Sequence, residues 1–109
     1  MSTNVPDDDV ETAIMTMELD AADPASLVAV LAKYAVVSRG QNGCRNIDLS
    51  ASTTHAGRFV VISKWASPDA ARQHLDSPAA VEMARACEGL LVRAPRIDLL
   101  EGLSAHDLA

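Results

Sequence analysis

The run Arg58–Trp65, "RFVVISKW", restricts the fold more than any other stretch of this chain. Its β-branched and aromatic content is that of a strand, yet Phe59 and Val61 on one side are matched by Val60 and Ile62 on the other. Successive strand residues point to opposite faces, so this strand has no face suited to water. Both sides of the sheet that contains it therefore need a cover. The neighbouring segments supply one side. "TAIMTMELD", Thr12–Asp20, alternates and reads as strand one. Asp23 followed by Pro24 is a side-chain acceptor before a proline at the first helical position, a strong helix start. That helix runs to Ser38, with Leu27, Val28, Leu31, Tyr34 and Ala35 at helical spacing, Val30 and Val37 widening the stripe, and Arg39-Gly40 as its stop.

After the turn "GQNGC", Arg45–Ser52 reads as strand two, with Ile47, Leu49 and Ala51 on one face. "TTHAG" joins it to strand three, Arg58–Trp65. Ser67, Pro68 and Asp69 then open a second helical region, which Pro78 breaks or restarts and which continues to about Cys87. "PRIDLLEGL" provides strand four, Arg96–Leu103. The fold class is α+β: a ferredoxin-like βαββαβ sandwich with one four-stranded antiparallel sheet and helices on one face. The other face, apolar in strand three, calls for a second sheet, most simply that of another copy. A homodimer through the sheet face is the expectation.

Length and charge narrow the partners. At 109 residues the chain is one domain able to bury a real core. Seven acidic residues precede the first basic one, Lys33, and the later part is close to neutral. Residues 1–10, with three consecutive aspartates, read as a disordered acidic tail, and residues 11–109 as the folded domain. A net charge of −6 and an aromatic content of 3% give no basic patch and no stacking platform, so nucleic acid is not an expected partner. No apolar run approaches the ~20 residues of a membrane span, and the start has no positively charged segment before an apolar one. A cytoplasmic setting follows as the expectation, with no membrane partner. Cys44 and Cys87 are isolated and read as reduced structural thiols, and no His/Cys cluster has metal-ligand spacing. Neither a metal nor a cofactor is expected.

The stretch "GCRNIDLSASTTHAGRFVVISKWASPDAARQHLDSPAA" resembles the antibiotic biosynthesis monooxygenase family. The likeness lies in a glycine before a strand, a hairpin, a strand ending in Trp-x-Ser, and a helix with a histidine nine residues after the tryptophan. Trp65, Ser67, His74 and Ser77 match that pattern, whereas Lys64 and Pro68 stand where acidic or polar residues are more usual. The resemblance implies a dimeric α+β barrel with two sheets face to face. It also implies oxygenation of activated aromatic or quinol substrates without metal or flavin. In the branch acting on polyketide anthrones, pocket positions fall here on Val61, Trp65, Ala71 and Arg85. Trp65 and Arg85 match, but the Asn and Tyr of that branch are replaced by Val61 and Ala71, which removes two of four pocket contacts. The haem-degrading branch would need an iron-ligating His about nineteen residues beyond the tryptophan and an Asn in strand one; "AVEMARA" and "AIMTMELD" contain neither.

Two residues are singled out as catalytic candidates. His74 shares a helical face with Ala70, Ala71 and Leu75. It reads either as a core histidine satisfied by a neighbour or as a general base with a pKa near neutrality. Trp65 is both the largest apolar plug available and a candidate wall for a planar ligand. Arg85, Val61 and Ala71 are the substrate-binding candidates. Arg85 reads foremost as a solvated ion-pair partner of Glu82 or Glu88, and Glu18 and Lys64 as a pair across neighbouring strands. His55 and His106 read as solvated. The expected activity is a cofactor-independent monooxygenation of a small hydroxyaromatic or quinol-type molecule. The alternative is a non-catalytic protein of the same fold that binds a small hydrophobic ligand or serves an accessory role.

Overall fold

The computed structural model describes residues 12–103; the acidic N-terminal segment to residue 11 and the end of the chain, with His106, lie outside it. Four strands form one antiparallel sheet: β1 (Ala13–Asp20), β2 (Cys44–Ala51), β3 (Arg58–Trp65) and β4 (Arg96–Glu101), in the spatial order β2-β3-β1-β4. Three helices, α1 (Pro24–Ser38), α2 (Pro68–Leu75) and α3 (Pro78–Ala86), pack on one face. The arrangement is the ferredoxin-like α+β fold, with one refinement. Pro78 restarts the chain as a separate helix, because Ser77 accepts a hydrogen bond from Ala80 N at 3.2 Å and satisfies one of its free N–H groups. Ser67 does the same for α2 through Ala70 N at 3.1 Å, and Asp23 for α1 through Ser26 N at 3.2 Å. Each helix has proline at its first position, where a missing N–H costs nothing.

The register assigns the faces. Ala13, Met15, Met17 and Leu19 of β1 stand opposite Trp65, Ser63, Val61 and Phe59 of β3 and point toward the helices. Ile47, Leu49 and Ala51 of β2 join them. Against this layer α1 buries Leu27, Leu31, Tyr34, Ala35 and Ser38. Val28 and Val37 turn partly outward, so the buried stripe is narrower than the sequence spacing suggests. The uncovered face carries Ile14, Val60, Ile62 and Leu100, interleaved with Thr16, Glu18 and Lys64 on the two central strands and flanked by Asp48 and Asp98 on the edge strands. Ile62 remains 40% exposed and Leu100 47%. This face therefore mixes apolar and polar side chains, unlike the fully apolar surface that β3 alone suggests.

Two ion-pair expectations are corrected. Glu18 stands opposite Val60 and Lys64 opposite Ile14, at opposite ends of the ladder. Glu18 faces Arg58 at 3.7 Å instead, beside the closer Arg58–Asp20 pair at 2.8 Å. Arg58 holds the Asp20 carboxyl below the usual carboxylate range. Glu82 pairs with Lys33 of α1 at 3.2 Å, not with Arg85, which has no ion-pair partner among the described residues.

Candidate functional site

His74 and Trp65 come together. Trp65 ends β3 and is fully buried, and its indole N–H donates to Ser63 Oγ at 2.8 Å. His74 lies over it with ring centroids 4.4 Å apart and planes tilted by 31°. Only 3% of His74 is exposed, so both ring nitrogens need partners. Nδ1 meets Gln41 Oε1 at 2.5 Å and Nε2 meets the Tyr34 hydroxyl at 2.5 Å. A carboxamide oxygen can only accept, so Nδ1 carries the hydrogen. In the neutral ring Nε2 is then the acceptor, and Tyr34 donates to it. Burial pushes the His74 pKa below 6.5, which keeps the ring neutral near pH 7. Burial likewise raises Tyr34 to about 12, so the phenol keeps its proton. Ser38, one turn beyond Tyr34, acts in the opposite direction on that phenol, although its buried Oγ meets no partner at hydrogen-bonding geometry.

Each member of this chain is placed by a local device. Tyr34 sits on the buried stripe of α1 and His74 on that of α2. Gln41 is delivered by the loop between α1 and β2, through Gly43. At φ +83° Gly43 adopts a conformation that side chains rarely take, and a Cβ there would lie 2.9 Å from Ala70 Cβ. A bond from Ala66 N to Gly43 O at 2.7 Å fixes the same approach. The loop can lie against α2 only because this residue has no side chain.

Three concavities bear on the site, and only the first of them is lined by the pair. A cleft of about 250 Å³ is lined by Gln41, Asn42, Trp65, Gln73, His74 and Ser77 and is polar. A groove of about 290 Å³ between α1 and α3 is lined by Val30, Tyr34, Val37, Ala79 and Met83, with Lys33 and Glu82 at its rim. The space between sheet and helices opens at the other end of the sheet. It is an apolar cavity of about 370 Å³ against Met17, Leu19, Leu75, Met83, Cys87 and Ile97, and neither Trp65 nor His74 lines it.

The remaining sequence candidates are dispersed. Val61 is a core residue at the middle of β3, and Ala71 is fully buried beside Ala13 and Leu99. Arg85 is exposed near the end of α3, and His55 is exposed in the β2–β3 hairpin. Tyr34 and Gln41 were not singled out from sequence. A lone tyrosine on a buried stripe must find a partner for its hydroxyl, which was a usable signal; a glutamine in a turn gives none. Among the described residues no group of three His, Cys, Asp or Glu side chains could hold a metal ion. No described helix is long and apolar enough to cross a membrane. Cys44 and Cys87 are free, and burial raises the pKa of both thiols.

With this geometry in place, the comparisons with known proteins define the class. The family model for the antibiotic biosynthesis monooxygenases matches residues 12–86, and the chain belongs to that family. Among solved structures it is similar to SnoaB, a cofactor-independent oxygenase from Streptomyces nogalater, at 21% identity and a TM-score of 0.76, covering 87% of this chain and 96% of that one. A protein of unknown function from Nitrosomonas europaea superposes with a TM-score of 0.81 at 20% identity, covering 93% and 98%. Rv0793 from Mycobacterium tuberculosis gives 0.75 at 25% identity, covering 86% and 96%. No curated protein matches the sequence.

Proposed function

We propose that this chain is a cofactor-independent oxygenase of a small hydroxyaromatic or quinol-type molecule, working as a homodimer, with His74 as the base. One observation carries the reading: His74 Nε2 already accepts a phenolic hydrogen, that of Tyr34, inside a shell that excludes water. A hydroxyaromatic that loses its proton becomes an electron-rich anion able to pass an electron to oxygen. The protein's tasks are then to take the proton, hold the anion away from water and present it in one orientation. Gln41 supports the imidazolium that forms, since Nδ1–H already points at its oxygen. Trp65 supplies a flat apolar wall beneath the ring. Family membership and the SnoaB-like fold are consistent with this chemistry.

Cavity size restricts the substrate. Ordinary ligand pockets span about 300–1,000 Å³, and the concavities here lie between about 210 and 370 Å³. One or two fused rings fit such a space better than an extended polyketide. The replacement of the Asn and Tyr by Val61 and Ala71 points the same way, since both are apolar core residues that offer a ligand no hydrogen bond. Oxygen uptake with a panel of hydroquinones, naphthols and anthrones tests the reading. The expected result is turnover of the smaller members that falls by about 10²–10⁴-fold in His74→Ala. No uptake with any member would overturn it.

A second reading is favoured by the 370 Å³ cavity, whose apolar lining excludes His74. In that case the chain binds a small hydrophobic ligand without transforming it. Saturable binding of an apolar dye there, displaced by the same aromatics without oxygen uptake, selects it.

A further inference from the structure

Tyr34 lines the groove between α1 and α3, while His74 lines the cleft on the other side. The hydrogen bond between them is therefore a bridge from an apolar groove to a polar cleft. Gln41 continues it into that cleft, among Asn42, Gln73 and Ser77. The groove has a single kind of polar feature besides Tyr34, the Lys33–Glu82 pair at its rim, and both of these side chains are about 70% exposed. Exposed pairs of this kind contribute little to stability, so the Lys33 ammonium can turn to a new anion at small cost.

We propose that the α1–α3 groove binds a planar aromatic molecule bearing one acidic hydroxyl, and that Tyr34 relays its proton to His74. This rests on the oxygenase reading and adds the binding site and the route of the proton. The step balances without a further reactant. The ligand O–H proton moves to Tyr34 Oη while the Tyr34 O–H bond breaks and its proton forms a bond to His74 Nε2. The ligand keeps the electron pair as an aryloxide, and the histidine becomes an imidazolium held at Nδ1 by Gln41. Tyr34 ends as it began. Lys33 then faces the aryloxide, and Val30, Val37, Ala79 and Met83 cover the ring.

The class of hydroxyl follows from the proton balance. A buried imidazole is a weaker base than a free one, and an ordinary phenol ionises only near 10. The groove therefore selects hydroxyls acidified by a conjugated carbonyl over simple phenols. Tyr34 itself does not compete, because its own pKa is pushed up to about 12.

A probe that reports its own ionisation tests this without oxygen chemistry. 7-Hydroxycoumarin has a carbonyl-conjugated hydroxyl, and its neutral and anionic forms absorb at different wavelengths. Titrated into the wild-type protein below the pH at which the free probe ionises, it should bind and develop the anion band. Ala29→Trp, on the exposed side of the groove, should weaken binding by about tenfold or more. Tyr34→Phe should still bind but lower the anion fraction by about tenfold or more. Unchanged binding in Ala29→Trp would overturn the site, and undiminished ionisation in Tyr34→Phe would overturn the relay. If Tyr34→Phe does not fold, His74→Gln, which removes the proton's acceptor, takes its place, and undiminished ionisation there overturns the relay. Oxygen uptake separates the two proposals. His74-dependent uptake that survives Ala29→Trp and Tyr34→Phe removes the relay and leaves the oxygenase. Binding and ionisation without uptake by any aromatic removes the oxygenase and leaves the relay.

Discussion

His74 is both a packed side chain and the proposed base, and these roles make separable predictions. Removing it leaves the Tyr34 hydroxyl and the Gln41 carbonyl without their partner. His74→Ala should therefore cost about 1–3 kcal/mol of stability, read from denaturant titration. If His74 is also the base, turnover per folded molecule falls in the same preparation; undiminished turnover would leave it a structural residue only. The pH dependence has a fixed sign. Because burial lowers the folded pKa below 6.5, the unfolded chain takes up a proton before the native one as pH falls. The neutral ring's contribution is complete above 6.5 and is lost as pH drops toward the folded value. Melting temperatures taken from about pH 8 to about pH 5 should show this decline, and His74→Gln should remove it. Gln41 acts one step away, through the tautomer. In Gln41→Leu the ring nitrogen resonances should shift from a single Nδ1–H form toward a mixture, whereas a merely structural Gln41 would leave them unchanged.

At the scale of elements, the devices that start and stop segments were the most legible part of the chain. Asp23-Pro24 and Ser67-Pro68 open helices as read, because a cap and a first-position proline depend only on residues a few positions away. Pro78 was open between a break and a restart. The geometry chose restart through the Ser77 cap, and Ser77→Ala should cost about 1 kcal/mol by denaturant titration. Gly43 matters more than its place in a turn suggests. Gly43→Ala adds both left-handed strain and a contact with Ala70, so about 2 kcal/mol or more is expected. It should also withdraw Gln41 from His74, and the same tautomer measurement detects that. β4 shows the limit of reading faces from pattern. Ile97 and Leu99 point to the helix side, yet both stay more than 40% exposed, since the strand is at the sheet edge and borders cavities rather than packed side chains.

For the whole molecule, the open face of the sheet is the proposed seam between two copies. Ile14, Val60, Ile62 and Leu100 are its apolar residues, and the polar side chains interleaved with them give it an orientation. Ile62→Asp places a charge among these apolar residues and should shift sedimentation at micromolar concentration from dimer to monomer. Val36→Asp is the control: Val36 is 65% exposed on the outer side of α1 and should leave the assembly unchanged. Dissociation by both, or by neither, would move the interface elsewhere.

The sequence alone determined the order of elements, which strand residues share a face, and where two of the three helices begin. Those properties follow from side-chain period and from capping groups within one turn of the chain. It also brought Trp65 and His74 to one place, because a strand end and the next helix are joined by only a few residues. Tertiary structure decided what His74 does. Its two hydrogen-bond partners lie 40 and 33 residues away, on α1 and on the loop that Gly43 admits. No local pattern encodes such distances. The same holds for Glu82, whose partner came from across a helix pair rather than from its own helix. Packing also put the large apolar cavity at the far end of the sheet, because Trp65 and His74 fill the space where the two elements meet.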